Sequence, residues 1–269
     1  MQQASGFALS PDGRAVAFRH AQDGRRGIFL RSLAQLEPTF IAGSEEGAGP
    51  LFSPDGQSLA FVSMPLGSRG VGLYRIALDG GAPLQLAGTG MSAMSGYTFA
   101  GHWTADGQIF FSGSTPVIQR VPAAGGPATA VTVLDETRGE QRHGQPRALP
   151  RGKGVLYVAV ISGGRQDVMV TSREGRVGKV LVKGATTPRC SPTGHLLFVL
   201  EWTLFAATLD LDTLELTGEP FAVAEGLEAA VCGNYRHAQY DLSAHGTLAY
   251  ALAGGASEAT AWCSSLVRA

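Results

Sequence analysis

One four-residue string recurs along this chain and constrains its fold more than any other feature. Ser10-Pro11-Asp12-Gly13 returns as Ser53-Pro54-Asp55-Gly56, then more loosely as Thr104-Ala105-Asp106-Gly107, Leu149-Pro150-Arg151-Gly152, Ser191-Pro192-Thr193-Gly194 and Ser243-Ala244-His245-Gly246. The copies lie 42 to 52 residues apart, the interval at which one four-stranded propeller blade repeats. Each copy is a turn by its chemistry: proline presets φ, Asp or Ser can bond its own backbone, and glycine accepts positive φ. A strand should follow each turn, and apolar residues two apart do follow: Val16 and Phe18, Leu59 and Phe61, Ile109 and Phe111, Val155 and Tyr157, Leu196 and Phe198, Leu248 and Tyr250.

A further strand comes later in each of the first five units, as in Leu73-Tyr74-Arg75-Ile76 or Val168-Met169-Val170. Glycine corners such as Asp79-Gly80-Gly81 and Ala124-Gly125-Gly126 and a last strand such as Pro83-Leu84-Gln85-Leu86 close the units. No stretch keeps the i, i+3, i+4 apolar spacing over a helix length. The expectation is an all-β chain, a six-bladed β-propeller of four-stranded antiparallel blades forming one domain over 1–269. The blades fall near 1–43, 44–88, 89–134, 135–183, 184–225 and 226–269. The last blade is expected to be incomplete, with Thr260 to Leu266 as its third strand. Its open edge then offers a route to self-association.

Composition narrows the function classes. Lys and Arg number 21 against 22 Asp and Glu, a net charge of -1 without basic clusters, so nucleic acid and anionic lipid are not expected partners. Cys190, Cys232 and Cys263 are an odd set without paired spacing and read as small hydrophobes rather than a disulfide framework or a zinc site. Met1 to Phe18 lacks the basic start and apolar run of a signal peptide. No window holds the roughly 18 uninterrupted apolar residues of a membrane helix. A soluble segment without membrane insertion is expected. The residues name no compartment.

The repeat also carries a resemblance. The Ser-Pro-Asp-Gly turn, its alternating strand and the string Gly72-Leu-Tyr-Arg-Ile-Ala-Leu-Asp-Gly-Gly81 resemble TolB-like propeller repeats. More narrowly, Pro122-Ala123-Ala124-Gly125-Gly126, Thr137-Arg138-Gly139-Glu140 with His143, and Leu216-Thr217-Gly218-Glu219-Pro220 resemble the C-terminal propeller of bacterial serine/threonine receptor-type protein kinases. The kinase motifs themselves are absent from this chain, so phosphate transfer is not expected of it. The resemblance implies a sensor or protein-binding scaffold, and an extracytoplasmic domain of a membrane-anchored protein. Fold alone does not set an activity.

A site is expected where the first strand of each blade lines the central channel. Two residues before each turn stand Ala8, Leu51, His102, Arg147, Arg189 and Asp241, which strand alternation should aim at the channel. Their neighbours Leu9, Phe52, Trp103, Ala148, Cys190 and Leu242 should pack between blades. Blades one and two thus offer nothing polar, whereas blades three to six offer a His, two Arg and an Asp. The segments leading into these strands are long at Met91 to Gly101, Asp135 to Gln145 and Leu227 to Gln239. Two of them carry matching strings, His143-Gly-Gln145-Pro-Arg147 and His237-Ala-Gln239-Tyr-Asp241.

Two readings follow. In the first, a non-catalytic pocket lined by His102, Glu140, His143, Arg147, Arg189, His237, Tyr240 and Asp241 binds a small anion or an acidic side chain of a protein or peptide, with no cofactor. Two guanidinium groups and protonated histidines would then outnumber the nearby carboxylates. In the second, His143, His237 and Glu140 serve a metal-dependent hydrolase of esters, lactones or phosphoesters, or a lyase, with a divalent ion on His102, His143, His237 and Asp241. Four strand residues span roughly 13 Å, so the second reading needs the loops to fold inward. A purely structural account also stands, in which Arg147 and Asp241 pair and the histidines bond loop backbone.

Overall fold

The computed structural model describes residues 6–63, 71–88, 99–113, 115–172, 177–232, 235–253 and 263–265. Their strands form six antiparallel sheets in succession, each ordered as a meander, and one separate two-stranded hairpin. The first holds Phe7–Leu9, Ala15–Gln22, Arg25–Ser32 and Thr39–Glu45, and the second Ala48–Phe52, Ser58–Ser63, Gly72–Ala77 and Leu84–Gly88. The third holds Gly101–Trp103, Gln108–Ser112, Ile118–Pro122 and Thr129–Ala130, and the fourth Glu140–Ala148, Gly154–Ile161, Gln166–Ser172 and Lys179–Lys183. In the fifth, Thr186–Cys190, His195–Leu200 and Thr203–Asp210 are followed by two short strands, Glu215–Leu216 and Phe221–Ala224, which both pair with the third. The sixth has Tyr240–Leu242, Leu248–Tyr250 and Cys263–Ser265. Of the last strand expected at Thr260 to Leu266, the remaining residues lie outside the described ones, as does most of the segment Met91 to Gly101.

The recurring turn joins the first two strands of each sheet. Ser10 Oγ donates to Asp12 Oδ1 at 2.5 Å and accepts from the Ala15 N–H at 2.8 Å, while Gly13 at φ +71° closes back on the Ser10 carbonyl. Ser53, Asp55 and Gly56 repeat this geometry. The Ser10, Gly13, Arg14 and Ala15 N–H groups all find acceptors within the corner. These bonds hold the Asp12 and Asp55 carboxyls below the usual range, the serine hydroxyl being the larger influence in both.

Packing between the sheets closes a ring. Ala17, Ile28, Leu59 and Phe61 join the first sheet to the second, and Leu73 and Val62 meet Trp103 and Ile109 of the third. Ile118 meets Tyr157 and Met169, Leu156 and Val168 meet Leu196 and Phe198, and Leu204 meets Tyr240 and Leu248. Leu9 and Val16 then pack on Ala249, so the last sheet returns to the first. Two backbone links reinforce that junction: the Ala244 N–H donates to the Pro11 carbonyl at 3.0 Å, and the Leu9 N–H donates to Asp241 Oδ2 at 2.9 Å. Gly13 sits in the same seam, where a Cβ would stand 2.5 Å from Thr247 Oγ1. Sheets covered on both faces by their neighbours, with inner strands such as Gly154–Ile161 buried along their whole length, make the all-β propeller expected from the repeat.

The segment Leu227 to Gln239 is more ordered than the loop its sequence suggests. Ala229–Cys232 and Tyr235–Ala238 pair as a hairpin separate from the sixth sheet. The Arg236 carbonyl accepts from Gln145 Nε2 at 3.2 Å, Gln166 Nε2 at 3.2 Å and Thr186 Oγ1 at 2.7 Å, and the Arg236 N–H donates to Gln166 Oε1 at 2.9 Å. The hairpin is stitched to the fourth and fifth sheets through its backbone.

Candidate functional site

The channel encloses a cavity of about 960 Å³. Ala8, Leu51, His102, Arg147, Arg189 and Asp241 all line it. They reach it because each first strand keeps strict alternation over the two residues before its turn: Leu9 pairs with Val16, Trp103 with Ile109, Ala148 with Val155 and Cys190 with Leu196.

Asp241 is the hub of the polar side. Its Oδ1 accepts from Arg189 Nε at 3.2 Å and lies 3.9 Å from Arg147 Nη2, while Oδ2 accepts the Leu9 N–H. One carboxylate therefore ties the fourth, fifth, sixth and first sheets together. Arg147 Nη1 also donates to the Gly101 carbonyl, and Arg189 Nη1 to the Pro188 carbonyl at 3.0 Å. The Arg189 guanidinium lies over the Tyr240 ring, 5.3 Å from its centroid, a cation–π contact. Two guanidinium groups against one carboxylate leave one positive charge uncompensated at this level of the channel.

The histidines do not add to that charge. His102 Nδ1 accepts the Ala148 N–H at 3.0 Å, which leaves the ring proton on Nε2. Burial, with Arg147 and Arg189 nearby, pushes its pKa down to about 3. His237 also lines the cavity, and its pKa is pushed down to about 4 by burial and then by Arg189. Both are neutral at pH 7, against the expectation of protonated rings. Burial and Arg189 lower Arg147 to about 9 while Asp241 opposes them, so its guanidinium stays charged. Tyr240 donates its hydroxyl to the Thr187 carbonyl, and burial raises its pKa. It braces the wall with its ring and offers the cavity no free hydroxyl. Cys190 packs with the core between sheets four and five, and burial raises its thiol to about 11.

Glu140 and His143 lie elsewhere, and the expected pocket loses both. His143 is fully buried beneath the Tyr157 ring, 4.5 Å between centroids, with Nδ1 2.8 Å from Thr132 Oγ1 and Nε2 3.0 Å from Glu140 Oε2. Glu140 Oε2 also accepts the Asp135 N–H at 2.8 Å, and Oε1 accepts from Arg138 Nε at 3.2 Å. The reason is a β-bulge. Gly144 stands opposite Val158 and Arg147 opposite Leu156, so three steps on one strand match two on the other, and Gln145 takes φ +54°. One extra residue reverses the strand's phase, which turns His143 to the face opposite Arg147. Burial lowers the His143 pKa and Glu140 opposes the shift.

The same bulge recurs at Gly49 with φ +61° and Thr187 with φ +53°. A signal for it stands in the sequence: Pro50, Pro146 and Pro188 each occupy the third position before the turn. Proline has no N–H for the ladder and within a strand marks an edge or a bulge. Gln166 and Thr186, which hold the hairpin, escape a sequence reading because their partner is 70 and 50 residues away. The metal set His102, His143, His237 and Asp241 is not brought together either, since His143 faces Thr132 and both Asp241 oxygens already accept bonds. Among the described residues no three His, Cys, Asp or Glu side chains gather in a metal-holding group.

No protein-family model matches the sequence, and comparison with curated proteins gives no match; the likeness to known proteins is one of structure. TolB from Acinetobacter baumannii superposes with a TM-score of 0.58 at 18% identity over 82% of this chain and 54% of its own. The chain thus spans about half the length of that protein. An oligogalacturonate lyase in complex with manganese gives 0.59 at 15% identity over 92% of this chain and 73% of its own. A functionally unknown protein from Desulfotomaculum acetoxidans DSM 771 gives 0.61 at 15% identity over 93% and 79%. The fold is that of the TolB-like β-propellers. Among the described residues no helix is long and apolar enough to cross a membrane.

Proposed function

We propose that this chain is a non-catalytic binding or sensor propeller whose channel receives an anionic group, carried by a small ligand or an acidic side chain of a protein. One observation carries the reading: Arg147 and Arg189 share a single carboxylate at the wall of a cavity of about 960 Å³. Pockets of roughly 300–1,000 Å³ with a few convergent polar groups suit small ligands. Of the residues put forward for catalysis, His143 and Glu140 bond each other inside the sheet packing and His237 stands apart from them in the channel wall, which favours binding over hydrolysis or elimination. The motif resemblance to receptor-kinase propellers supports a place as the extracytoplasmic sensing part of a membrane-anchored receptor, and we extend the proposal to that.

Titration calorimetry with acetate, sulfate and phosphate tests it. Arg147→Gln and Arg189→Gln keep a polar side chain, and each should weaken anion binding by roughly ten- to hundredfold, since a hydrogen bond to a charged group is worth about 1.5–3 kcal/mol. Thermal melts establish that the variants are folded. Unchanged affinity in both, or no binding by the parent, overturns the proposal. Chelator-sensitive turnover of esters, lactones, phosphoesters or uronate polymers would replace it with the metal-dependent reading.

A further inference from the structure

The channel wall opposite in character to Arg147 and Arg189 narrows the ligand. Ala8 and Leu51, from the first two sheets, line the same cavity at the equivalent strand position, and Phe99 joins them. This apolar wall is close-packed and fixed. A Cβ on Gly101 would stand 2.7 Å from Leu51 Cδ1, and one on Gly49 would stand 2.9 Å from Phe99 Cδ1. Leu51 packs on the cluster that holds Trp103, and Phe99 belongs to that cluster. A rigid apolar surface beside charged donors gives nothing to a hydrated inorganic ion, which would leave the wall wetted.

The polar side limits the charge. Asp241 already neutralises one of the two guanidinium groups, and a second negative charge on the ligand would face it across the same arginines. Beside Arg147 and Arg189 a monoanion matches the residual charge and a phosphate dianion exceeds it; Arg120, Arg151 and Asp106 also line the cavity but make no contact with this carboxylate–guanidinium group. The donors left for it are the cavity-facing remainder of the two guanidinium groups, where Arg189 Nη2 has no partner among the described residues, and His102 Nε2–H, set by the Ala148 N–H on the ring's other nitrogen. Planar guanidinium groups match a planar carboxylate.

We infer that the channel takes a monocarboxylic acid with a compact apolar body, its carboxylate on Arg147, Arg189 and His102 and its body against Ala8, Leu51 and Phe99. This rests on the reading of the channel as an anion site and specifies the ligand class for it. Isothermal titration of the full chain with acetate, butanoate, hexanoate, benzoate and inorganic phosphate separates the two. Affinity should rise about fourfold per methylene added, the equivalent of ~0.8 kcal/mol of apolar burial, with an increasingly negative heat-capacity change along the series. Phosphate should bind no better than acetate. Leu51→Gln should flatten the hexanoate-to-acetate ratio, and the parent series carries the test if that variant does not fold. A series independent of chain length, or phosphate binding above hexanoate, overturns this inference; acetate binding that still weakens in Arg147→Gln leaves the anion site standing. Absence of binding by every acid and by phosphate overturns both.

Discussion

His143 to Arg147 and His237 to Asp241 carry histidine, glutamine and a charged residue at the same three positions, yet the two histidines end in opposite surroundings. His143 remains in register with the strand beside it, opposite Ala159, and the bulge at Gln145 turns it away from the channel into a bonded cluster with Glu140 and Thr132. His237 pairs across the hairpin with Ala230, lines the channel, and has a buried Nδ1 without a partner among the described residues. The pattern is local, whereas the surroundings depend on which strand lies alongside. A strand that stays with its sheet inherits that sheet's bulge; one that leaves for a hairpin does not.

The sharpest way to break this comparison is to remove each ring. His143→Ala removes the buried bonds to Glu140 and Thr132 and opens a void under Tyr157, so it should cost about 3 kcal/mol in urea unfolding, combining lost buried hydrogen bonds with a cavity. His237→Ala removes a group whose Nδ1 is already unsatisfied and should change stability by less than about 1 kcal/mol. Equal costs would mean that the two sites are not distinct in the way described.

Acid sharpens the comparison within the channel. His102 and His237 are held neutral down to about 3 and about 4, against about 6.5 for an unfolded histidine. Above about 6.5 neither state binds the protons and stability is full. Below it the unfolded chain takes them up and the folded chain does not, so stability falls until the folded values are reached. Replacing His237 by Gln should lower the proton uptake on unfolding near pH 5 by close to one, and His102→Gln should do the same. A midpoint that stays flat from pH 7 to 4 would contradict the burial of both rings.

The smallest effect concerns the hairpin itself. Its anchor is the Arg236 backbone, and the Arg236 side chain is exposed, so Arg236→Ala should cost under about 0.5 kcal/mol. Gln166→Ala removes two of the four bonds to that backbone, including the one from the Arg236 N–H, and should cost about 1–2 kcal/mol. Hydrogen exchange at the Arg236 amide would report the same contrast, fast in Gln166→Ala and unchanged in Arg236→Ala.

Much of the architecture was legible because it rests on short-range chemistry. The six turns are recognisable from four residues each, and the side chains two positions before them point into the channel because no irregularity intervenes. Arg147, Arg189, Asp241 and His102 could therefore be placed on one wall from spacing alone. His143 and Glu140 could not, because counting six residues back crosses the bulge, although Pro146 marked it. The neutral state of the histidines was hidden as well, since it depends on burial by neighbours distant in the chain.

By itself the sequence determined the repeat, the all-β class, the turn chemistry and the contrast between an apolar pair, Ala8 and Leu51, and a charged set beyond it. Only the tertiary structure decided that Asp241 bonds the Leu9 N–H and joins the last sheet to the first, that both arginines converge on it, and that the hairpin crosses to Gln145, Gln166 and Thr186. The physical reason is range. Turn geometry and strand alternation are set by covalent neighbours, whereas charge pairing, burial and the choice of strand partner are set by groups that approach only when the ring closes.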